Sequence, residues 1–384
     1  MDATIIANQT EREIVRLCQR GLDATSLLQR TARRLHDAVP YDAYCWGTID
    51  PATLLVTSKV AEHFPAISPA LFAEHEYLME DINKLSALSR RSRPVGILGQ
   101  ITDGEPQRSA RYRGILAPAG LEREMRAALV GGGSCWGGAN LFRTADKPDF
   151  TIAEAALMAR LSPHLAEGLR VAMLLGSAMP GSEGESPGVV LFDDGDAVAA
   201  VSPEAARWLA DLPGAEPAGG VVPAAVYEVA VRARAVAEGT AAQDHVGLPA
   251  RLRVRTRSQR WLVLHGVQLP SGEDRSRTAV IVEVARAPEL APLLLQAYDL
   301  SPREREVVRL VLGGQSTAEI AAHLFVSPFT VQDHLKAVFA KVGVRSRREL
   351  VARILGEQGF FAAGSTDDPA SSTRSAMVPG LVAD

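Results

Sequence analysis

Cysteine is almost missing from this sequence: Cys18, Cys45 and Cys135 stand far apart in 384 residues. Such spacing excludes a disulfide framework and a zinc finger, both of which need clustered cysteines, and leaves buried neutral thiols as the expected state. Redox sensing would require Cys45 and Cys135 to meet in one pocket. Long apolar runs are missing too, since no stretch reaches the roughly 20 residues that span a bilayer. The first twenty residues carry Asp2, Glu11, Arg12 and Glu13 and no apolar centre, unlike a secretory signal. A cytoplasmic protein without membrane contact is expected. Neither sign of charge dominates, with 41 Lys and Arg against 45 Asp and Glu. At 47% hydrophobic and 22% charged residues, the chain has the composition of ordinary globular domains, two or three at this length.

Complete catalytic motifs are also lacking. Gly131 to Gly133 is followed by no Gly-Lys-Ser/Thr and leads into a strand, so it is no phosphate loop. Gly132-Gly-Ser-Cys-Trp136 ends on tryptophan where a nucleophile elbow needs glycine. His75-Glu-Tyr-Leu-Met79 has methionine in place of the second histidine of a zinc protease. Asp50 precedes a hairpin turn and is not placed like a phosphoacceptor. No catalytic residue, metal ligand or cofactor is therefore assigned, and the protein is not read as an enzyme. His245 and His265 are lone histidines with structural roles expected.

What the sequence does contain is a run of helix starts between Leu300 and Gln358. Ser301, Ser316 and Ser346 are each followed three residues later by Glu304, Glu319 and Glu349, the spacing of a reciprocal capping box. Ser327 with Pro328 marks a fourth start by a different device. Gly313 and Gly314 close the first helix and Gly343 the third. Apolar residues recur at helical spacing in all four: Val307, Leu310 and Val311; Ile320 and Leu324; Val331, Leu335, Val338, Phe339 and Val342; Leu350, Val351, Ile354 and Leu355. On a wheel of about 100° per residue, the third helix opposes its apolar side with Phe329, Asp333, Lys336 and Ala340. Gln332 lies on one flank, and Thr330, His334, Ala337 and Lys341 on the other. An apolar side for docking and a narrow polar ridge between phosphate-capable flanks suit a DNA major groove.

These residues carry a resemblance. Leu300-Ser-Pro-Arg-Glu-Arg-Glu-Val, Ala318-Glu-Ile-Ala, Thr330-Val-Gln-Asp-His-Leu-Lys and Val342-Gly-Val-Arg-Ser-Arg-Arg-Glu-Leu are similar to the LuxR-type helix-turn-helix. The resemblance covers under a sixth of the chain and implies that Gln332, Asp333 and Lys336 face base edges. It further implies that Ser327, Thr330, His334, Lys341, Arg345 and Arg347 lie near phosphates. Asp333 departs from many relatives, and a carboxylate there must accept from a cytosine amine or pair with Lys336. Between Ser327 and Arg353, six basic residues face two acidic ones, a net +4 within a chain of −4. Phosphate affinity is thus concentrated in this segment. The related helix-turn-helix of a sigma factor fits less well, because nothing upstream resembles the other sigma regions.

Upstream, helices are expected at 11–20 and 23–39, a hairpin at 41–49 and 54–60, and a helix at 69–80. A second hairpin at 123–130 and 135–143 precedes a long helix from Ile152 to Leu175. Short segments between His63 and Leu121 show no clear periodicity. This order, with Trp136-Gly-Gly-Ala-Asn-Leu-Phe-Arg as a late core strand, resembles a GAF domain and implies a small-molecule pocket on one sheet face and dimer contacts through the end helices. Alternation lets either Cys45 and Gly47, or Tyr44 and Trp46, face that pocket. After a Gly/Ser/Pro-rich linker, 176–187, the strand Val189-Val-Leu-Phe-Asp opens a unit of two strands, helices and three strands that resembles a PAS domain, serving as sensor, dimer contact or spacer. A helix from Pro288 to Tyr298, with Leu290, Leu293, Leu294 and Ala297 on one face, leads into Ser301.

The expected architecture is multidomain: an α+β GAF-like domain (1–178), an α+β PAS-like domain (187–286), a coupling helix (287–299) and an all-α four-helix LuxR-type helix-turn-helix (300–358). A disordered tail (359–384) follows. The function implied is a one-component transcriptional regulator that binds double-stranded DNA, as a homodimer, under control of a small-molecule effector in the GAF-like domain or of a partner protein. The alternative is a GAF/PAS signalling protein that acts through protein contacts.

Overall fold

The computed structural model describes residues 3–175, 186–215, 222–242, 245, 247–269, 277–298 and 300–355. Most of the Gly/Ser/Pro-rich linker and all of the expected tail lie outside these residues. Two helices open the chain, α1 (Ala3–Cys18) and α2 (Ala24–Leu35). Asp23 starts α2 by accepting from Ser26 N at 2.9 Å, and the face carrying Leu27, Leu28, Ala32 and Leu35 is buried. There follow β1 (Ala43–Ile49), β2 (Val56–Glu62), α3 (Pro69–Tyr77), α4 (Leu85–Leu88), β3 (Val95–Ile97), α5 (Leu98–Ile101), β4 (Arg123–Gly131), β5 (Ser134–Arg143) and α6 (Ile152–Leu175). The strands form one antiparallel sheet in the order β2-β1-β5-β4-β3. Gly132 and Gly133 both adopt positive φ, so β4 and β5 close through a two-residue turn shorter than the four-residue connection expected.

The faces of this sheet answer the question that alternation left open. Tyr44 and Trp46 pack with Leu27, Leu28, Leu161 and Leu165 beneath α2 and α6. Cys45 points the other way, with Ala43, Leu98, Ile115 and Phe142. Cys135 lies in a separate cluster with Ile49, Leu85 and Ala128. Cys45 pairs across the sheet with Asn140, five residues along β5 from Cys135, a separation of about 16 Å at strand rise. No disulfide can bridge that span, which overturns the idea of a Cys45–Cys135 redox pair. Burial raises both thiols, Cys135 to about 12.

A second antiparallel sheet is built from β6 (Gly188–Phe192), β7 (Val198–Val201), β8 (Arg251–Arg255), β9 (Trp261–Leu269) and β10 (Arg277–Val284), with α7 (Pro203–Ala210) and α8 (Ala224–Glu238) inserted after β7. Its order, β7-β6-β10-β9-β8, repeats that of the first sheet when strands are counted within each unit. Val226, Val229 and Ala230 of α8 pack on Val190, Leu252, Leu264 and Val280. Gly266 is required there, since a Cβ would stand 2.7 Å from both Val229 O and Ala233 Cβ.

The two units share cores. Leu55, Ala73 and Tyr77 belong to the second core, whereas Trp261, Val263 and Ala285 belong to the first. Polar groups bind the seam: Tyr77 donates to buried Glu228, Lys59 pairs with Glu228 at 3.1 Å, and Arg234 pairs with Glu74 at 2.8 Å. Asp50 accepts from Arg253 through both its backbone N and its Nη1, each at 3.0 Å.

From the second sheet the chain enters α9 (Ala287–Ala297), then α10 (Pro302–Leu312), α11 (Thr317–Leu324), α12 (Pro328–Val342) and α13 (Arg347–Leu355). One apolar face was expected on α9, and two are found. Leu290, Leu293 and Ala297 join the first core, while Ala291 and Leu295 join the core of the last four helices. Arg170 of α6 donates to Ala297 O at the end of α9. Ser301 and Ser316 make full capping boxes with Glu304 and Glu319. Ser346 makes half of one: it accepts from Glu349 N at 3.1 Å, but the Glu349 carboxylate takes Arg345 N at 2.8 Å. Gly314 and Gly343 have positive φ, and Gly313 does not.

The cap of α11 is Phe325, at φ 55° and with its ring 96% exposed. A left-handed residue with a Cβ costs about 1–2 kcal/mol, and water gives the ring no packing in return. Phe325→Gly is therefore expected to raise stability by up to about 1 kcal/mol after glycine's own entropy cost. A urea titration reads this, and a clear fall in midpoint would mean that the ring has a packing partner in the folded chain.

Candidate nucleic-acid interface

The four final helices close around Val307, Val308, Val311, Ile320, Leu324, Leu350 and Ile354, with α12 contributing Val331, Leu335, Val338 and Val342. Burying those four side chains fixes which side of α12 meets water. Phe329, Asp333, Lys336 and Ala340 are exposed on it, as the wheel placed them, and Gln332 is exposed on its flank. Phe339 is half-buried and packs against the core. Ser327 caps α12 by accepting from Thr330 N at 3.1 Å, and the two hydroxyls lie 2.9 Å apart. Both residues are exposed at the positive end of the helix dipole, where unpaired N–H groups favour a phosphate oxygen.

On the ridge, Lys336 Nζ is 3.3 Å from Asp333 Oδ1, and both side chains are largely exposed. This is one of the two arrangements under which a carboxylate is tolerable near DNA. The flanks are less free than the sequence implied. Lys341 pairs with Glu304 at 2.7 Å, and Glu304 also accepts from Ser301 N at 2.6 Å. Burial works against the Glu304 carboxylate, but Lys341 and Ser301 outweigh it and hold the group below its ordinary range. Arg347 donates to Gln315 O and, at 3.5 Å, to Val311 O, so part of its guanidinium holds the turn between α10 and α11. His334 is half-buried, and Arg345 is exposed beside the start of α13.

Sequence reasoning assigned no role to Phe329, which is 79% exposed at the second position of α12. The signal was present on the wheel, where it shares the face of Asp333 and Lys336. Phe325, at the end of α11 in the turn before α12, is a second exposed aromatic residue.

The remaining titratable clusters lie away from α12. His265, Glu283 and Glu289 each bring a ligand atom within 4.8 Å of one another. Glu289 is already held there by Arg251 at 2.5 Å and by Arg286 N at 2.8 Å, which caps α9. His245 is buried 2.9 Å from Arg232 Nη2, and burial together with that cation lowers it to about 3. Glu76, Arg126 and Asn140 form a buried polar triad beneath α3, at 2.9 and 3.0 Å. Beside it is a void of only about 20 Å³, room for a single water-sized molecule. Among the described residues, no helix is long and apolar enough to cross a membrane.

Residues 299–354 match the model of the luxR family of bacterial regulatory proteins. An HTH-type transcriptional regulator of Mycobacterium bovis is 60% identical over 52 residues, 14% of this chain and 6% of that protein. NarL, a transcriptional regulatory protein of Mycobacterium tuberculosis, is 40% identical over 73 residues, 19% of this chain and 31% of its own. The spore germination protein GerE of Bacillus subtilis is 41% identical over 56 residues, 15% of this chain and 76% of that one. The chain thus spans a small part of the mycobacterial regulators it matches, and all three likenesses are confined to a short stretch. A crystal structure of Escherichia coli SdiA covers 89% of the chain and 94% of its own at 13% identity and a TM-score of 0.27, from which nothing about the upstream units follows.

Proposed function

Since the chain belongs to the luxR family of bacterial regulatory proteins, we propose that it is a transcriptional regulator that reads double-stranded DNA with α12. The observation that carries this reading is the exposed Gln332, Asp333 and Lys336 ridge on a helix whose opposite side is locked into the core. In this proposal those three residues face base edges in the major groove. Ser327, Thr330 and Arg345 meet phosphates, and His334, Lys341 and Arg347 support that contact from positions partly committed to the fold. A homodimer sets two such helices on paired half-sites.

The upstream units serve in this reading as sensors, GAF-like over 1–178 and PAS-like over 187–286. Their shared strand order and common cores support a single body that passes a small-molecule signal to α9. The second reading, regulation through protein contacts alone, is favoured by Phe325 and Phe329, exposed aromatic residues in the turn before α12 and in its first turn.

Selection of bound sequences from random duplex DNA by the full-length chain, followed by gel-shift titration at several salt concentrations, tests the first reading. A paired motif is expected, with half-sites a whole number of about 10-bp turns apart and log K falling linearly with log salt. Recovery of no motif, with binding absent at low salt, would reject DNA reading in favour of protein contacts.

A further inference from the structure

The seam between the two sheets holds a cleft of about 610 Å³. Its size suits a small organic molecule, and junctions between folded units are where such sites concentrate. Trp136 on β5 and Trp261 on β9 form apolar parts of its wall, and the hydroxyls of Thr48 and Ser58, 2.7 Å apart, line another part. Four cationic residues face it, Lys59, Arg253, Arg255 and Arg257, against a single acidic one, Asp23.

Three of those cations have work elsewhere in the fold. Lys59 is paired with Glu228 at 3.1 Å, Arg253 with Asp50 at 3.0 Å, and Arg257 donates to Ala210 O. Arg255 differs. Its one hydrogen bond is a long contact of 3.5 Å from Nη1 to Ala172 O, and no carboxylate of the described residues lies within ion-pairing distance. Its Nε and Nη2 are buried without a hydrogen-bond partner. Burial also disfavours its charged form, with no anion offsetting the effect. Two buried N–H groups left in this condition on a half-buried guanidinium are costly to the folded state, and a bound anion is one partner that satisfies them.

We propose that this cleft is an effector site for a small aromatic carboxylate, whose anion pairs with Arg255 and whose ring packs against the apolar wall that includes Met173, Pro213 and the edge of Trp261. Turning the Arg255 side chain into the cleft presents its unpartnered Nε and Nη2 as a fork to a planar carboxylate, and a single uncommitted cation suits a monoanion better than a phosphate. Lys59 borders both this cleft and the void beside Glu76, with its ammonium turned to Glu228. The cleft also has a route to the DNA reader. Trp261 and Val263 share a core with Leu290 and Leu293 of α9, and the other face of α9 supplies Ala291 and Leu295 to the helix-turn-helix core. That consequence rests on the DNA-binding reading above, but binding itself does not.

Calorimetric titration of the full-length chain with benzoate, salicylate and indole-3-acetate, each beside its neutral amide, tests the proposal. At least one acid is expected to saturate a single site with an affinity about tenfold or more above that of its amide, the order of a charge-assisted pair. Arg255→Met should abolish the preference for acid over amide, and Arg255→Lys should keep part of it. Without ligand, Arg255→Met should melt at or above the wild-type temperature, because two buried donors without partners have been removed. No saturable binding of any of the three acids, equal binding of acids and amides, or acid binding unchanged in Arg255→Met would each overturn the site. A lower melting temperature for Arg255→Met would likewise overturn it, making Arg255 a prop for the end of α6. No DNA enters these titrations, so their failure is distinct from a failure of the DNA-binding reading, which the gel shift reports.

Discussion

Asp50→Ala is expected to cost about 3–5 kcal/mol of stability, the usual penalty for stranding one member of a buried ion pair. The aspartate is almost fully buried, as is its partner Arg253. Its carboxylate accepts from Ala52 N at 3.0 Å within its own turn, then from the backbone N and Nη1 of Arg253 across the seam. Truncation leaves the guanidinium without its counter-charge and a β8 amide without its acceptor, and neither can reach water without opening the seam. Arg253 Nε also donates to Glu289 O at 2.6 Å, in the first turn of α9, so the damage should spread toward the DNA-reading helices. Set against a typical total of about 5–15 kcal/mol, the loss is large enough to be seen in urea unfolding. Asp50→Leu combined with Arg253→Met should recover much of it, because removing both charges removes the stranded one. A loss below about 1 kcal/mol in Asp50→Ala would show that the pair contributes little and that the seam is held by apolar packing and the Tyr77, Lys59 and Arg234 contacts.

Gln332→Ala with Lys336→Ala is expected to weaken binding to the selected DNA site by roughly 2–6 kcal/mol, the sum of two base-reading contacts at about 1–3 kcal/mol each. Affinity for scrambled DNA should change far less, because the phosphate contacts proposed for Ser327, Thr330 and Arg345 remain. Lys336 is the more informative of the two. It leaves water with Asp333 already 3.3 Å away, so its replacement also exposes a lone carboxylate to the groove and should penalise every base except a cytosine that can donate to it. Competition gel shifts with selected and scrambled duplexes give the ratio directly. An equal fall for both duplexes would mean that these side chains touch only the backbone, and that reading of sequence lies elsewhere on the surface, with Phe329 the next residue to replace.

The helix starts were legible because a cap is local. Ser301 with Glu304 and Ser316 with Glu319 carry their partners three residues away, and no distant contact is needed to form them. The same holds for the exposed side of α12, since a periodicity of 3.6 fixes Gln332, Asp333 and Lys336 once Val331, Leu335 and Val338 are buried. The long helix α6 was read to its ends, as a sustained helical pattern leaves little choice. The segments from 63 to 121 were not, because α4, β3 and α5 span three or four residues each and are defined by what they cover.

By itself, then, the sequence determined the helix-turn-helix, the side of α12 that faces outward and the presence of two mixed α+β units before it. Tertiary structure alone decided the rest. It committed Lys341 to Glu304 and turned Arg347 toward Gln315 O, contacts 37 and 32 residues apart. It made a presumed turn residue, Asp50, the counter-ion of Arg253 across 203 residues. It placed Ala291 and Leu295 of α9 in a second core, and set Arg255 in a cleft with no counter-ion among the described residues. The physical reason is one of range: caps and periodicity act within a turn or two of the chain, whereas burial and charge pairing depend on which surfaces meet, and only the assembled cores decide that.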